Sequence, residues 1–260
     1  KDAKKELLEK SKRIMLDDVI GLKGKLSRSK LFIVSDIIWP DIPLKPFKTS
    51  QREVNACFIS DTHIGSNQCL ENELQKFMAW LKGNVNNEQE KNIVSKIKYL
   101  FLCGDCVDGI GVHPTQFPTL SIKDIYKQYN VFSDLIKQIP EYIEIFIAPG
   151  NHDAVRLADP QPALDKSFIP ELASLSNVHL IGSPSMVEVD GLKVMMYHGS
   201  SMHGYISNLP NLSMTKPQEV MKEYLIRRSL LPAYGIRHTI APEKIDCITI
   251  DEVPDVFCTG

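Results

Sequence analysis

The sequence predicts an α/β protein, and three observations carry that prediction. From Val54 onward, short runs rich in β-branched and aromatic residues alternate with helix-like segments, as in a parallel or mixed sheet with helices on its faces. Upstream, Pro40-Asp41-Ile42-Pro43-Leu44-Lys45-Pro46 places three prolines in seven residues, a stiff linker that is neither helix nor central strand. Finally, several apolar runs of the larger region each end in a carboxylate, an amide or an imidazole.

Taken in order, residues 1–14 set Leu7, Leu8 and Ile14 on one side of a charged helix. Two strand-like runs follow, DDVIGLKGKL and KLFIVSDIIW, joined by the basic turn Ser27-Arg28-Ser29. One helix and two strands enclose no core. Residues 1–48 are therefore expected to be the tail of a small β domain plus its linker, with residues 49–260 forming a second domain. In that second domain the expected order is strand 56–60, helix 71–81, strand 99–103, helix 123–138 and strand 143–148. Beyond it, VHLIG, SMVEVDG and LKVMMYHG read as strands, with Asp190-Gly191 a hairpin turn. A helix over 218–230 and two short strands, DCITI and DVFCT, complete the expectation.

Composition excludes little. The chain has 260 residues, 43% hydrophobic and 24% charged, with a net charge of −2. Charge is uneven: residues 1–30 carry ten Lys/Arg against five Asp/Glu, or +5, leaving −7 for the rest. No apolar run reaches the roughly 18 residues of a membrane span, and no stretch reads as a signal peptide. Six scattered cysteines, several inside strand-like runs, read as reduced, buried, intracellular thiols. Cys103-x-x-Cys106 has no second CxxC to pair with and is read as packing. The chain starts at Lys1 and stops at Gly260 after an apolar run, so both ends read as cut.

The strand-end residues carry the chemistry. Asp61 and His63 follow CFIS; Asp105 and Asp108 lie in Gly104-Asp105-Cys106-Val107-Asp108; Asn151, His152 and Asp153 follow IEIFIAPG; His198 follows LKVMMY. Any one of these is common in a solvated turn. Together they place oxygen and nitrogen donors along the carboxyl ends of strands, where α/β sheets put their sites, and suit a pair of divalent first-row metals. His203 is an ambiguous neighbour, and His113, His179 and His238 continue no strand-end pattern.

With D-x-H, GD-x-x-D, GNHD and a lone His in that order, residues 54–260 resemble the calcineurin-like metallophosphoesterase superfamily, an αββα sandwich. The resemblance assigns Asp61 and His63 to a first metal, Asp105 to the bridge, and Asn151 and His198 to a second metal. It makes His152 the phosphate-contacting group, paired with Asp108. Cys258-Thr259-Gly260 stops where a final GH-x-H element would begin, so this stretch alone is expected to bind metal poorly and be inactive. The flanks narrow the resemblance. DDVIGLKGKL and KLFIVSDIIWPDIPL look like the end of an OB fold, and YLIRRSLLPAYGIRHTIAPEKIDCITIDEVPDVFCTG is similar to the small-subunit family of archaeal family D DNA polymerases. Ser229 stands where that family pattern has a His.

The resemblance implies a cytoplasmic, nucleoid-associated archaeal 3′→5′ proofreading exonuclease with two divalent ions. Manganese is first among them, with iron, zinc or nickel permitted by the ligands. Implied partners are a large catalytic polymerase subunit, DNA with a single-stranded 3′ end and a sliding clamp, with no membrane. Two other classes remain: a non-catalytic scaffold, and a phosphatase or phosphodiesterase with a small substrate.

Overall fold

The computed structural model describes residues 2–231 and 238–260, and the protein is mixed α/β. Residues 232–237, within the polymerase-like tail, lie outside the described residues. The chain divides into two compact units, Lys1–Phe47 with Ser200–Val253, and Lys48–Gly199 with Pro254–Gly260. Residues 200–253, expected in the second domain, thus cluster with the first 47. Among the described residues no helix is long and apolar enough to cross a membrane.

In the smaller unit, α1 (Asp2–Ser11) precedes the antiparallel pair β1 (Gly21–Leu26) and β2 (Phe32–Ile38). Lys10 Nζ fastens α1 to Asp36 Oδ1 of β2 at 2.6 Å.

The larger unit is built on β3 (Asn55–Ile59), α2 (Glu71–Leu81), α3 (Glu88–Ser95), β4 (Ile97–Cys103), α4 (Ile125–Ile136), β5 (Glu144–Ala148) and β6 (Val178–Leu180). The four strands form one sheet in sequential order, with every pair parallel. A second sheet holds the hairpin β7 (Ser185–Val189) and β8 (Leu192–Met196), with β9 (Val256–Cys258) parallel to β8.

Period-2 alternation splits the core into two. Leu100, Leu102, Ile145 and Ile147 face Met78 and Leu81 of α2, Val94 of α3, and Tyr129 and Phe132 of α4. Their alternates, Tyr99, Phe101, Cys103, Phe146 and Ala148, face Val194 and Met196 of the second sheet. A sheet covered on both faces needs near-continuous apolar strands, which is why β4 reads IKYLFLC. Each large aliphatic or aromatic side chain so buried contributes roughly 1.5–3 kcal/mol. Phe58, Phe101, Phe146 and His179 occupy matching register positions and stack at centroid spacings of 4.8, 5.1 and 4.8 Å. His179 ends this ladder and meets Glu144 at 2.7 Å, a structural role.

Back in the smaller unit, α5 (Met202–Asn208) and α6 (Pro217–Arg227) complete the helices. Arg227 Nε meets Asp18 Oδ1 at 2.9 Å, and the same guanidinium pairs with Glu223. Arg13 reaches Glu223 at 2.6 Å, and both guanidiniums lie over the Trp39 ring, at 5.3 and 5.6 Å.

Two expectations are corrected. The DCITI run is reduced to one antiparallel bridge, Thr249 opposite Ser229, because the Asp246 carboxylate accepts from the Ile248 and Thr249 amides and from the Thr249 hydroxyl at its start. The helix expected to reach 230 stops at Arg227, since Arg228 is left-handed at φ 55°.

Candidate metal centre

The parallel sheet delivers its polar residues to one edge. Asp61 and His63 follow β3, Asp105 follows β4, Asn151 and His152 follow β5, and His198 follows β8 in the second sheet. Strand-like pairing continues past the sheet: the Asp61 and His63 amides donate to the Gly104 and Asp105 carbonyls, each at 3.0 Å. The backbone turns sharply at three donors, with Asp61, His63 and Asp105 at φ 55°, 43° and 51°. Non-glycine residues rarely sit in that region, and a run of them marks a backbone held by its surroundings.

Glycines make room. A Cβ on Gly104, itself at φ 92°, would collide with the His198 ring, and one on Gly150 would collide with the Asp105 carboxylate. Asp105 is buried, with Oδ1 accepting the His152 amide at 2.8 Å. Its Oδ2 lies 3.4 Å from His198 Nε2 and 3.6 Å from His63 Nε2. His63 Nε2 is also 3.7 Å from Asp61 Oδ1, and His198 Nε2 is 3.1 Å from Asn151 Oδ1. Two three-residue sets, Asp61/Asp105/His198 and His63/Asp105/His152, each place one donor atom per residue within 4.8 Å of one another. Asp105 belongs to both. These sets cross the partition that the resemblance implies, which put His63 with Asp61 and His198 with Asn151.

All three imidazoles are anchored by Nδ1. His63 meets Asp108 Oδ1 at 2.9 Å, His152 the Asp108 carbonyl at 2.7 Å, and His198 the Cys103 carbonyl at 2.9 Å. A carbonyl accepts only from N–H, so Nδ1 of His152 and His198 carries the proton and Nε2 is the nitrogen left for a ligand. Metal-binding histidines are oriented in this manner. The expected pairing of Asp108 with His152 is corrected in one respect. Asp108 gives His152 its backbone carbonyl, with its carboxylate 3.7 Å away, and spends that carboxylate on His63.

Charge within the cluster is strongly coupled. Burial pushes His198 down, but the Asp105 carboxylate beside it lifts it to about 9. The Asp61 hydrogen bond raises His63 against the effect of burial. Burial works to raise Asp105, yet His198 draws it below the usual carboxylate range, and His63 does the same to Asp61. Anionic carboxylates are here compensated by protons, the charge that a divalent cation would replace. The donors are carboxylate oxygens, imidazole nitrogens and one amide, with Nε2 atoms turned inward, and they fit such a cation.

Two residues support the donors: Asp153 of the GNHD motif, whose contacts only the fold reveals, and Gln116, which the sequence reading did not mark. Asp153 is buried and accepts from the amides of Gly150, Cys106 and Val107 at 2.9, 3.2 and 3.4 Å and from the Tyr129 hydroxyl at 3.2 Å, tying the β4 and β5 loops together. Its burial pushes the carboxyl up to about 6. Gln116 donates to Asp108 Oδ2 at 3.0 Å and so fixes the carboxylate that holds His63. A carboxylate next to a GNH motif hints at Asp153; nothing in the sequence singles out Gln116. Of the remaining histidines, His113 meets the hydroxyl of its neighbour Thr115 at 3.2 Å through Nδ1.

Comparison of the sequence with known proteins shows its family. Over 254 residues the chain is 44% identical to the DNA polymerase II small subunit of Archaeoglobus fulgidus, covering 97% of this chain and 51% of that protein. It is 42% identical over 248 residues to the protein of that name from Methanocaldococcus jannaschii, covering 95% and 42%. For Methanothermobacter thermautotrophicus the figures are 37% over 255 residues, covering 98% and 52%. The chain spans about half the length of the curated relatives it matches. Residues 56–260, which include every donor of the centre, match the family of the B subunits of DNA polymerases alpha and epsilon, and the chain belongs to that family.

Proposed function

We propose that the parent protein is the 3′→5′ proofreading exonuclease subunit of an archaeal replicative DNA polymerase, cytoplasmic and nucleoid-associated. It partners a large polymerising subunit and, in replication, a sliding clamp. The larger unit is read as a calcineurin-like phosphoesterase sandwich, and α1, β1 and β2 as the end of an OB fold. The observation that carries the reading is the pair of Nδ1-anchored imidazoles, His63 and His198, whose Nε2 atoms lie 3.6 and 3.4 Å from Asp105 Oδ2, with His152 in the same cluster.

Two divalent ions, manganese first among them, would be held by Asp61, His63, Asp105, Asn151 and His198, and would supply Lewis acidity and an activated water. Asp105 would be the shared ligand because its buried carboxylate belongs to both three-residue sets. Asp108 orients His63, and its carbonyl holds the His152 ring. With Nδ1–H committed to that carbonyl, His152 donates to a phosphoryl oxygen through Nε2 only as an imidazolium, which then faces the Asp108 carboxylate at 3.7 Å. Removing such a donor typically costs about 10²–10³ in rate.

The test is an assay of labelled single-stranded DNA with manganese, using protein extended past Gly260. Stepwise mononucleotide release from the 3′ end, abolished by Asp105→Ala or His152→Ala, is expected. Hydrolysis of a small phosphomonoester with DNA left intact would favour a phosphatase. Inertness toward both with metal bound would favour a scaffold.

A further inference from the structure

A cavity of about 610 Å³ opens beside the centre on the α2 side and shares Asp61, His63 and Asp108 with it. Its remaining walls are mostly apolar: Ile59, Leu70, Leu74 and Phe77, with Cys69 at the base. Phe77 is held in place by stacking on Trp80, with ring centroids 6.0 Å apart. Ser60, Thr62, Ser66, Gln68 and Glu73 supply polar groups between the apolar walls, and the Glu73 charge is met by Lys76 at 2.7 Å. The cavity falls within the usual size range of small-molecule sites, and its makeup of apolar walls with a few placed polar groups is typical of them.

We propose that this cavity receives the nucleobase of the 3′-terminal nucleotide, unstacked from the strand, while that nucleotide's phosphate lies at the metal centre. The inference rests on the exonuclease reading and deepens it by naming what the site holds beside the phosphate. A nucleobase matches the walls: its faces are apolar and stack on an aromatic ring, and its edges carry donors and acceptors for hydroxyl and amide side chains. An occupant of this cavity lies within one nucleotide of the scissile phosphate, because the metal donors Asp61 and His63 are part of its wall. Every base has a π-face, so a pocket built on Phe77, Leu70 and Leu74 holds a terminal base of any identity, as removal of any mismatch requires. An unpaired end reaches it at less cost than a paired one, since pairing and stacking have already been lost.

The experiment compares binding of 2′-deoxyadenosine 5′-monophosphate and 2-deoxyribose 5-phosphate to the full-length, manganese-loaded protein by calorimetry. The base-bearing ligand is expected to bind roughly 5- to 150-fold tighter, the range that base–aromatic stacking supplies. Phe77→Ala is expected to remove most of that ratio. Leu70→Ala, at a position 69% exposed and so harmless to folding, should reduce it two- to fivefold. Reading a ratio separates the base site from any general loss of fold, which weakens both ligands. Equal affinities in the wild type, or a ratio untouched by both substitutions, would overturn the base pocket while leaving phosphate binding at the centre intact. Absence of binding by either ligand would instead remove the metal-centre reading and this inference with it.

Discussion

The two units each contain a cluster of buried charge, and the clusters are resolved in opposite ways. In the smaller unit, Asp18, Glu223, Arg13 and Arg227 balance two carboxylates with two guanidiniums, packed on Trp39. Nothing further is needed there, and the cluster is structural. In the larger unit, Asp61, Asp105 and Asp108 meet imidazoles, whose protons are exchangeable at physiological pH. That cluster is neutralised by protons or by metal, and the choice responds to the environment. Permanent cations make a fastener, whereas titratable ones make a binding site.

Breaking the fastener should give the largest effect. Arg227→Met leaves the buried Asp18 carboxylate without a cation and Glu223 with Arg13 alone, and is expected to cost about 3–5 kcal/mol, read as a lowered midpoint in chemical denaturation. A loss below about 1 kcal/mol would mean that the network is not what holds the smaller unit. Asp105→Ala removes the donor common to both metal sets, and nucleotide release should be abolished with metal content lost by elemental analysis. Retained stoichiometric metal would show that Asp105 is not the shared ligand. For Asp108→Asn, which loosens the orientation of His63 and removes the charge facing His152, metal affinity should weaken about 10–100-fold, with folding stability nearly unchanged.

The smallest effect is in pH. His198 at about 9 in the metal-free protein stands above its ordinary value of 6.5. The stability it contributes is fully present below that ordinary value and fades as pH rises through about 9. Metal must displace this proton, so manganese affinity should strengthen as pH rises toward 9, by up to about tenfold per unit for one proton released. Titration calorimetry in buffers of different ionisation enthalpy would detect that proton. A pH-independent affinity would show that His198 binds no metal.

Much of the larger unit was legible because its signals are local. A sheet covered on both faces writes uninterrupted apolar runs, and α2 shows its amphipathic stripe over the expected residues 71–81. What escaped notice had weak local signals. The α3 sequence, EQEKNIVS, buries only Val94 and starts from an Asn87 cap, so no apolar period marks it. The short α5 carries Gly204 at its middle, where glycine reads as a breaker. The DCITI run looks apolar enough for a full strand but pairs only at Thr249, since the Asp246 side chain takes up the Ile248 and Thr249 amides.

The sequence by itself determined the α/β class and which polar residues end its strands, because a strand's period and the residue that ends it are properties of neighbours along the chain. It could not determine how the donors are aimed. His63 takes its orientation from a carboxylate 45 residues away, and His198 from a carbonyl 95 residues away. Only the packed sheet, with Gly104 and Gly150 admitting close approach, brings those atoms within hydrogen-bond reach. Tertiary structure also decided that residues 200–253 join the first unit, since that choice is made by contacts remote in sequence.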